Sequence, residues 1–283
     1  MTAAEKPNEK NILDFLLSKY IGKVNFCDIR DKSAGDNYIN ISSNTEPNVI
    51  FEKAKKFDIF HSVQEDSFSP DKSINLAAFM ITNPQKFLED PICSILNPNQ
   101  ETNVKINMIF EKDFFKLDEK YSILEDIEKA VMTHIKSGSL IYDVQSISDE
   151  FITNAIFHST SIIEDRKEYI EQGKLGNIKL AVSEDELLIS VTDPHGTLKP
   201  SKLFNRIHTC YTSEIADKIN MGQGGAGIGS FLVHGMSSSY IIAVEENVKT
   251  IISSVLPLKM SNRKRLILPK NLHSLYVKEQ ANG

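Results

Sequence analysis

The sequence predicts a two-layer α/β sandwich in which helices cover one face of a mixed, mostly antiparallel sheet. Two observations lead to this fold class. A helical pattern is followed by a β-hairpin pattern, and a glycine-rich segment with its own helix is followed by a second hairpin pattern. These patterns fill residues 121–258, so we predict a domain there, preceded by a separate mixed α/β module (1–120) and followed by a solvated basic tail (259–283).

Composition indicates a soluble protein with room for two domains. The chain has 283 residues, of which 41% are hydrophobic and 25% are charged. A formal net charge of −6 gives no global reason to expect nucleic-acid binding, and no apolar run approaches the roughly 20 residues that span a bilayer. The polar start MTAAEKPNEK does not resemble a signal peptide, and three widely spaced cysteines fit a reducing compartment. We therefore expect a cytoplasmic protein that binds neither nucleic acid nor membranes.

The amino-terminal module shows secondary-structure patterns but no catalytic motif. Strand-like runs occur in VNF, YINI and NVKINMIF, and apolar spacing predicts helices over residues 11–20, 49–63 and 73–87. We assign this module a sensing or docking role.

The elements of the central domain are predicted from apolar periodicity and from helix-start signals. Apolar residues at helical spacing from Ile123 to Ile135 predict the first helix. Ser148 can cap a second helix, and Pro200 marks the start of a third. The remaining predictions are the hairpin strands 177–182 and 186–192, a helix over 228–234, and the closing strands 240–244 and 249–256.

Glu150 and Asn154 form the first candidate site pair. They lie four residues apart in DEFITNAIFHS, so a helix places both side chains on one face. A carboxylate beside a carboxamide oxygen suits a hydrated Mg²⁺ ion, which prefers oxygen ligands. Taken alone, such a pair more often belongs to a solvated helix surface.

Asp193 and Gly196 form the second candidate segment. ISVTDPHGTL ends a predicted strand at Asp193 and continues into a turn at Gly196. An aspartate in this position can accept a hydrogen bond from an exocyclic amine such as N6 of adenine. Asp-Pro followed by glycine is also a common loop sequence, which is the simpler interpretation of this segment on its own.

The third segment, GQGGAGIGSFLVHG, places Gly225, Gly227 and Gly229 immediately before an apolar helix. Without side chains, the backbone N–H groups can approach a phosphate, and the helix N-terminus adds partial positive charge. No Gly-Lys-Ser/Thr follows, which excludes a Walker A loop, and the polar stretch before the glycines disfavours a dinucleotide fingerprint. The alternative is a flexible loop in an unrelated α/β enzyme, which predicts that Glu150 and Asn154 lie far from these glycines.

Together the three segments resemble the histidine-kinase-like ATPase (GHKL) superfamily, which includes gyrase B, MutL and sensor histidine kinases. EFITNA is similar to its N box, VTDPHG to its G1 box and GGAGIGSFLV to its G2 box, while VKTIISSVLPL resembles its closing strand. The resemblance covers roughly residues 122–258 and implies the Bergerat fold with ATP and Mg²⁺ as cofactors. It implies that Glu150 orients a hydroxyl or water and that Asn154 coordinates Mg²⁺. Asp193, beside Gly196, would recognise adenine, and Thr250 would support the adenine end. The phosphates would be contacted by Gly225, Gly227 and Gly229.

The compact length of the domain looks most like the anti-sigma-factor serine kinases. The G1 box departs from the usual Asp-x-Gly-x-Gly, because His195 and Thr197 occupy the two glycine positions and Gly196 lies between them. The adenine pocket is therefore expected to be reshaped or to have lost nucleotide binding. Residues 207–221 would form the lid over ATP.

Three functional hypotheses follow. The first is a signalling regulator that uses ATP and Mg²⁺ to control a protein partner, as an anti-sigma-type serine/threonine kinase acting on a sigma factor or its antagonist. The second is a catalytically degenerate scaffold of the same fold that binds protein partners. The third, a sensor histidine kinase, needs a phosphoacceptor histidine on a dimerising hairpin, and neither His61 nor His134 has the expected flanking residues. Because relatives of this fold often dimerise, we also consider a homodimer.

Overall fold

One mixed sheet runs through the described part of the chain. The computed structural model describes residues 24–28, 38–160, 173–213 and 226–278. Its strands are β1 Asn25–Asp28, β2 Tyr38–Ser42, β3 Phe60–Gln64, β4 Asn107–Phe114, β5 Gly176–Val182, β6 Glu186–Asp193, β7 Ser239–Glu245, β8 Lys249–Pro257 and β9 Asn271–Val277. They lie in the order β1-β2-β3-β9-β7-β8-β6-β5-β4. The pairs β1–β2, β2–β3 and β7–β9 are parallel, and the other pairs are antiparallel.

Proline sets the start of several helices. The helices in the described ranges are α1 Pro47–Ala54, α2 Pro70–Thr82, α3 Pro84–Glu89, α4 Pro91–Leu96, α5 Glu119–Met132, α6 Gly138–Thr160, α7 Pro200–Thr212, α8 Ala226–Met236 and α9 Asn262–Ile267. Helices α1 to α4 and α7 each begin with proline. Proline suits this position because its φ angle is already helical and its missing N–H would have no partner there.

Helices cover both faces of the sheet. On one face, α1 and α5–α8 pack against strand residues that include Ile189, Tyr240 and Ile242. On the other face, α2–α4 pack against the alternating residues, among them Leu188 and Ile241. Since successive side chains of a strand point to opposite faces, strands covered on both sides need continuous apolar runs such as YIIAV.

The predicted α/β sandwich with a mixed, mostly antiparallel sheet is confirmed. The structure differs in the placement of helices, which were predicted on one face only. The helices on the other face are α2–α4, which come from residues 70–96 of the predicted amino-terminal module. The sheet also crosses the predicted boundary at residue 120, because β4 pairs with β5.

The carboxy-terminal segment belongs to the sheet and is not the solvated basic tail that its composition predicted. Strand β9 lies between β3 and β7 and thereby joins the first three strands to the rest of the sheet. Arg265 in α9 is buried, and its Nη2 lies 2.6 Å from Asp143 Oδ2 on α6. The prediction failed because a buried arginine requires a carboxylate partner, and the partner here comes from a distant part of the chain.

Two local predictions are wrong. Residues 49–63 were predicted as one helix, but the structure ends α1 at Ala54 and places residues 60–64 in β3. Every residue of β3 is buried between β2 and β9, so long-range pairing overrides the local helical spacing. Ser148 was predicted as a helix cap but lies buried inside α6, which begins ten residues earlier at Gly138.

The other elements of the central domain agree with the predictions. Both hairpins are present as β5–β6 and β7–β8, and the helices that the sequence predicts there correspond to α5, α7 and α8. The helix predicted over residues 11–20 lies outside the described residues. Among the helices of the described ranges, none combines the length and apolar character needed to cross a bilayer.

Candidate functional site

Glu150 and Asn154 lie one turn apart on α6 and contact each other. Asn154 Nδ2 donates a hydrogen bond to Glu150 Oε1 at 2.7 Å. This bond fixes the carboxamide orientation, so that Asn154 Oδ1 is the oxygen available as a ligand. Burial raises the pKa of the Glu150 carboxyl, while hydrogen bonds from Asn154 and Ser230 oppose the rise. The pair therefore offers a carboxylate with increased basicity beside a carboxamide oxygen.

Helix α8 approaches α6 most closely at Gly229. A β-carbon added at Gly229 would lie 1.7 Å from Glu150 Oε2 and 2.0 Å from its Cδ. Ser230 Oγ also donates a hydrogen bond of 3.4 Å to Glu150 Oε1. Helix packing alone thus accounts for a glycine at position 229. The contact places Glu150 beside the first turn of α8, where the helix dipole carries partial positive charge.

Lys120 is a site residue that the sequence analysis missed. Its Nζ lies 2.6 Å from Asp149 Oδ1 and donates to Thr153 Oγ1 at 2.9 Å, so it contacts residues on both sides of Glu150 along α6. The charge of Lys120 slightly opposes the rise in the pKa of Glu150. No pattern in the sequence predicts this contact, because Lys120 lies on the preceding helix.

Asp193 and Thr250 lie opposite each other on the same face of the sheet. Asp193 ends β6, and its Cα is paired with that of Thr250 in β8. Directly opposed residues of antiparallel strands point to the same side. Val191 and Ile252, two positions away on the same two strands, belong to the core beneath α5–α8. Asp193 and Thr250 therefore share the sheet face that carries Glu150.

Three polar atoms near Asp193 are buried and have no hydrogen-bond partner in the described part of the chain. They are His195 Nε2, Thr197 Oγ1 and Thr250 Oγ1. Burying such an atom without a partner costs roughly 1–3 kcal/mol. Atoms of this kind can form hydrogen bonds with groups of another molecule.

Gly196 is explained by its own backbone and by the turn between β7 and β8. Its φ angle is +61°, a left-handed conformation that favours glycine. A β-carbon there would lie 2.1 Å from Glu245 O and 2.8 Å from Asn247 N. Asn247 N donates a hydrogen bond of 3.2 Å to Gly196 O, which fixes the loop against the turn. This glycine is therefore required locally whether or not a cofactor binds nearby.

Comparison with known proteins adds little to this geometry. No protein-family model matches the chain. No curated protein matches its sequence. Among solved structures, it is similar to one described as the crystal structure of the SiaB–SiaC complex from Pseudomonas aeruginosa, with a TM-score of 0.40 and 16% identity over 53% of this chain and 89% of that chain. A likeness at this level supports no argument about function.

Part of the predicted phosphate-binding segment lies outside the described residues. This applies to Gly225, whereas Gly227 lies within the first turn of α8. The predicted lid over residues 207–221 is partly wrong, since residues 207–212 form the end of α7. Ile207 and Cys210 are buried there, so apolar packing against the core holds this part in the helix. The rest of the predicted lid lies outside the described residues.

The arrangement contradicts one alternative interpretation of the sequence. If the glycine segment were an unrelated loop, Gly229 would lie far from Glu150, yet the two are in contact. The described ranges contain no cluster of three or more His, Cys, Asp or Glu side chains that could hold a metal. A cation here would therefore need oxygen ligands that come in part from water or from a bound molecule, as Mg²⁺ commonly has.

Proposed function

We propose that this chain binds ATP with Mg²⁺ where α6, α8 and the ends of β6 and β8 meet. The observation that carries the proposal is the contact between Glu150 and Gly229, which brings the first and third candidate segments together. The second segment lies on the same sheet face through Asp193 and Thr250. A shared face for the three segments agrees with the resemblance to the histidine-kinase-like ATPases.

The residues present fit an adenine nucleotide by their donors and acceptors. Asp193 is a buried carboxylate that can accept from the amine of adenine. Thr250 Oγ1 is buried beside it and has no partner among the described residues. Asn154 Oδ1 would bind Mg²⁺, and the first turn of α8 would face the phosphates with its N–H groups. When bound, Mg²⁺ would neutralise phosphate charge, which is the main electrostatic requirement of phosphoryl transfer.

Glu150 is the residue we assign to catalysis. Burial raises the pKa of its carboxyl, which makes it a stronger base than an exposed glutamate. In the proposed reaction it accepts the proton of a serine or threonine hydroxyl on a partner protein. That hydroxyl oxygen forms a bond to the γ-phosphorus of ATP while the bond to ADP breaks.

The biological role that we propose is a cytoplasmic signalling regulator. By resemblance to anti-sigma-factor serine kinases, its partner is a sigma factor or the antagonist of one, and the active form is a homodimer. Strand β9 connects the first three strands to β7, which provides a continuous path through the sheet. A signal received at residues 1–120 would reach the ATP site through this connection.

The test is calorimetric titration with a non-hydrolysable ATP analogue and Mg²⁺. We expect saturable binding to the wild-type protein and a loss of about tenfold or more in Asn154→Ala, since a charge-assisted contact is removed. Glu150→Gln should keep nucleotide affinity and lose phosphoryl transfer to the partner. Asn205→Ala, an exposed asparagine on α7, is the matched control. Circular dichroism establishes that each variant is folded.

A second candidate function is a scaffold of the same fold that binds partners without nucleotide. It is favoured by His195 and Thr197 at the glycine positions of the G1 box, and by Gly196 and Gly229 being explained by packing alone. The titration separates the two functions. A folded wild-type protein that binds no nucleotide supports the scaffold and overturns the ATP proposal.

A further inference from the structure

The loop between Asp193 and Thr197 is held rigidly beside the proposed adenine position. His195 N donates to Asp193 Oδ1 at 3.0 Å, and Asn247 N donates to Gly196 O at 3.2 Å. Gly196 itself has a left-handed φ angle. The backbone on either side of Gly196 is therefore fixed, and the side chains at positions 195 and 197 start from fixed positions.

Both of these side chains carry a buried polar atom that the described residues leave unpartnered. His195 Nε2 and Thr197 Oγ1 are hidden from solvent, as is Thr250 Oγ1 across the strand pair from Asp193. If these residues served only to fill space, apolar side chains would do so without the loss of hydrogen bonds to water. The polar atoms therefore indicate a ligand with complementary hydrogen-bonding groups.

We propose that His195 and Thr197 determine nucleobase specificity by donating hydrogen bonds to ring nitrogens of adenine. This inference rests on the proposed ATP site and adds two residues to it. Adenine presents an amine donor, which Asp193 can accept, and ring nitrogens that accept from a hydroxyl or an imidazole N–H. Guanine would place a carbonyl oxygen in the position of that amine, against the Asp193 carboxylate.

The test uses isosteric variants, because Thr197→Val removes the hydroxyl and keeps the shape. We expect the affinity of Thr197→Val for the non-hydrolysable ATP analogue to fall about three- to tenfold, the effect of one neutral hydrogen bond. The melting temperature of the free variant should be unchanged or higher, because the substitution removes a buried hydroxyl that has no partner among the described residues. His195→Phe, which keeps a flat ring, should show the same loss of affinity. Thr82→Val on α2, at the opposite face of the sheet, is the control for affinity.

Nucleotides that lack one ring nitrogen make the test specific to the base. We titrate wild type and both variants with 1-deaza-, 3-deaza- and 7-deaza-ATP. For each variant, one of these analogues should bind the variant and the wild type equally well. That analogue lacks the ring nitrogen to which the substituted side chain would donate, so the substitution removes no further hydrogen bond.

The outcomes separate this inference from the proposed function. A wild-type protein that binds no nucleotide overturns both. Wild-type binding with unchanged affinity in Thr197→Val and His195→Phe overturns only the base-reading role. The base-reading role is also overturned if both variants bind all three deaza analogues more weakly than the wild type does. It is likewise overturned if the double variant His195→Gly/Thr197→Gly binds nucleotide more tightly than the wild type, since the two side chains would then obstruct the base.

Discussion

The Glu150 carboxylate occupies the space that a side chain at Gly229 would need. A β-carbon at Gly229 would lie 1.7 Å from Glu150 Oε2 and 2.4 Å from Oε1. The two residues lie on different helices, so the contact is part of the packing between α6 and α8. It also makes Gly229 the point at which packing and the proposed catalysis are linked.

Gly229→Ala should impair the site more than the fold. The added methyl group meets the end of a flexible side chain, so the carboxylate moves and loses the bonds from Asn154 and Ser230. We expect the melting temperature to fall by only a few degrees, whereas phosphoryl transfer falls by about tenfold or more. Thermal unfolding and partner phosphorylation measure the two effects.

Gly235→Ala is the matched control on the same helix. A β-carbon there meets no neighbouring atom of the described residues within 4 Å, so alanine should stabilise α8 by roughly 0.5–1 kcal/mol and leave transfer unchanged. Equal effects of the two substitutions would contradict the role of the Glu150 contact.

Gly196→Ala should destabilise the whole fold. Alanine must adopt a φ angle of +61° with its β-carbon 2.1 Å from Glu245 O. Left-handed strain and overlap with a backbone atom together predict a loss of about 2–4 kcal/mol in the free energy of unfolding. Urea denaturation measures the loss. Gly138→Ala should be close to neutral, because no neighbouring atom in the described part of the chain lies within 4 Å of a β-carbon there. A similarly small effect at position 196 would count against the loop geometry.

Asp143→Asn should show that the carboxy-terminal segment is held by a buried charge pair. Arg265 Nη2 lies 2.6 Å from Asp143 Oδ2, and removing the negative charge leaves a buried guanidinium without compensation. We expect the free energy of unfolding to fall by about 3–5 kcal/mol. In the control Asp126→Asn, which breaks a surface pair with Lys112, little change is expected. Similar small effects of both changes in urea denaturation would contradict this account.

Acid should destabilise the junction between β3 and β9. His61 and His273 are buried there, with their Nδ1 atoms 3.3 Å apart. Burial lowers the pKa of His273 to about 3. Burial, with a smaller effect of His273, lowers the pKa of His61 well below 6.5. The stabilisation is therefore fully present above the unfolded-state pKa and is lost as the pH falls towards the folded-state values.

The decrease should reach roughly 1.4 kcal/mol per pH unit for each histidine below about pH 6.5, measured by urea denaturation from pH 8 to pH 5. His61→Asn keeps a polar group near the position of Nδ1 and removes one titrating site, so its stability should decrease less steeply with acid. The exposed His134→Asn should retain the wild-type slope. An unchanged slope in His61→Asn would show that the histidine pair does not control acid stability.

Sequence alone determined the helices and strands whose pattern of apolar residues agrees with their burial in the fold. The hairpins β5–β6 and β7–β8 are bounded by polar turns, and Pro200 marks the start of α7. The four-residue spacing of Glu150 and Asn154 placed them on one helix face, where they form a hydrogen bond. These features depend on contacts between residues close in the chain, so local physical chemistry is sufficient to predict them.

Tertiary structure decided the features that depend on distant residues. Residues 60–64 are a strand because β2 and β9 supply their hydrogen bonds, although the local pattern favours a helix. Arg265 is buried because α6 supplies Asp143, and Gly229 faces Glu150 because both helices pack on one sheet face. Burial of backbone and charged groups requires partners, and only the folded chain specifies which distant residues provide them.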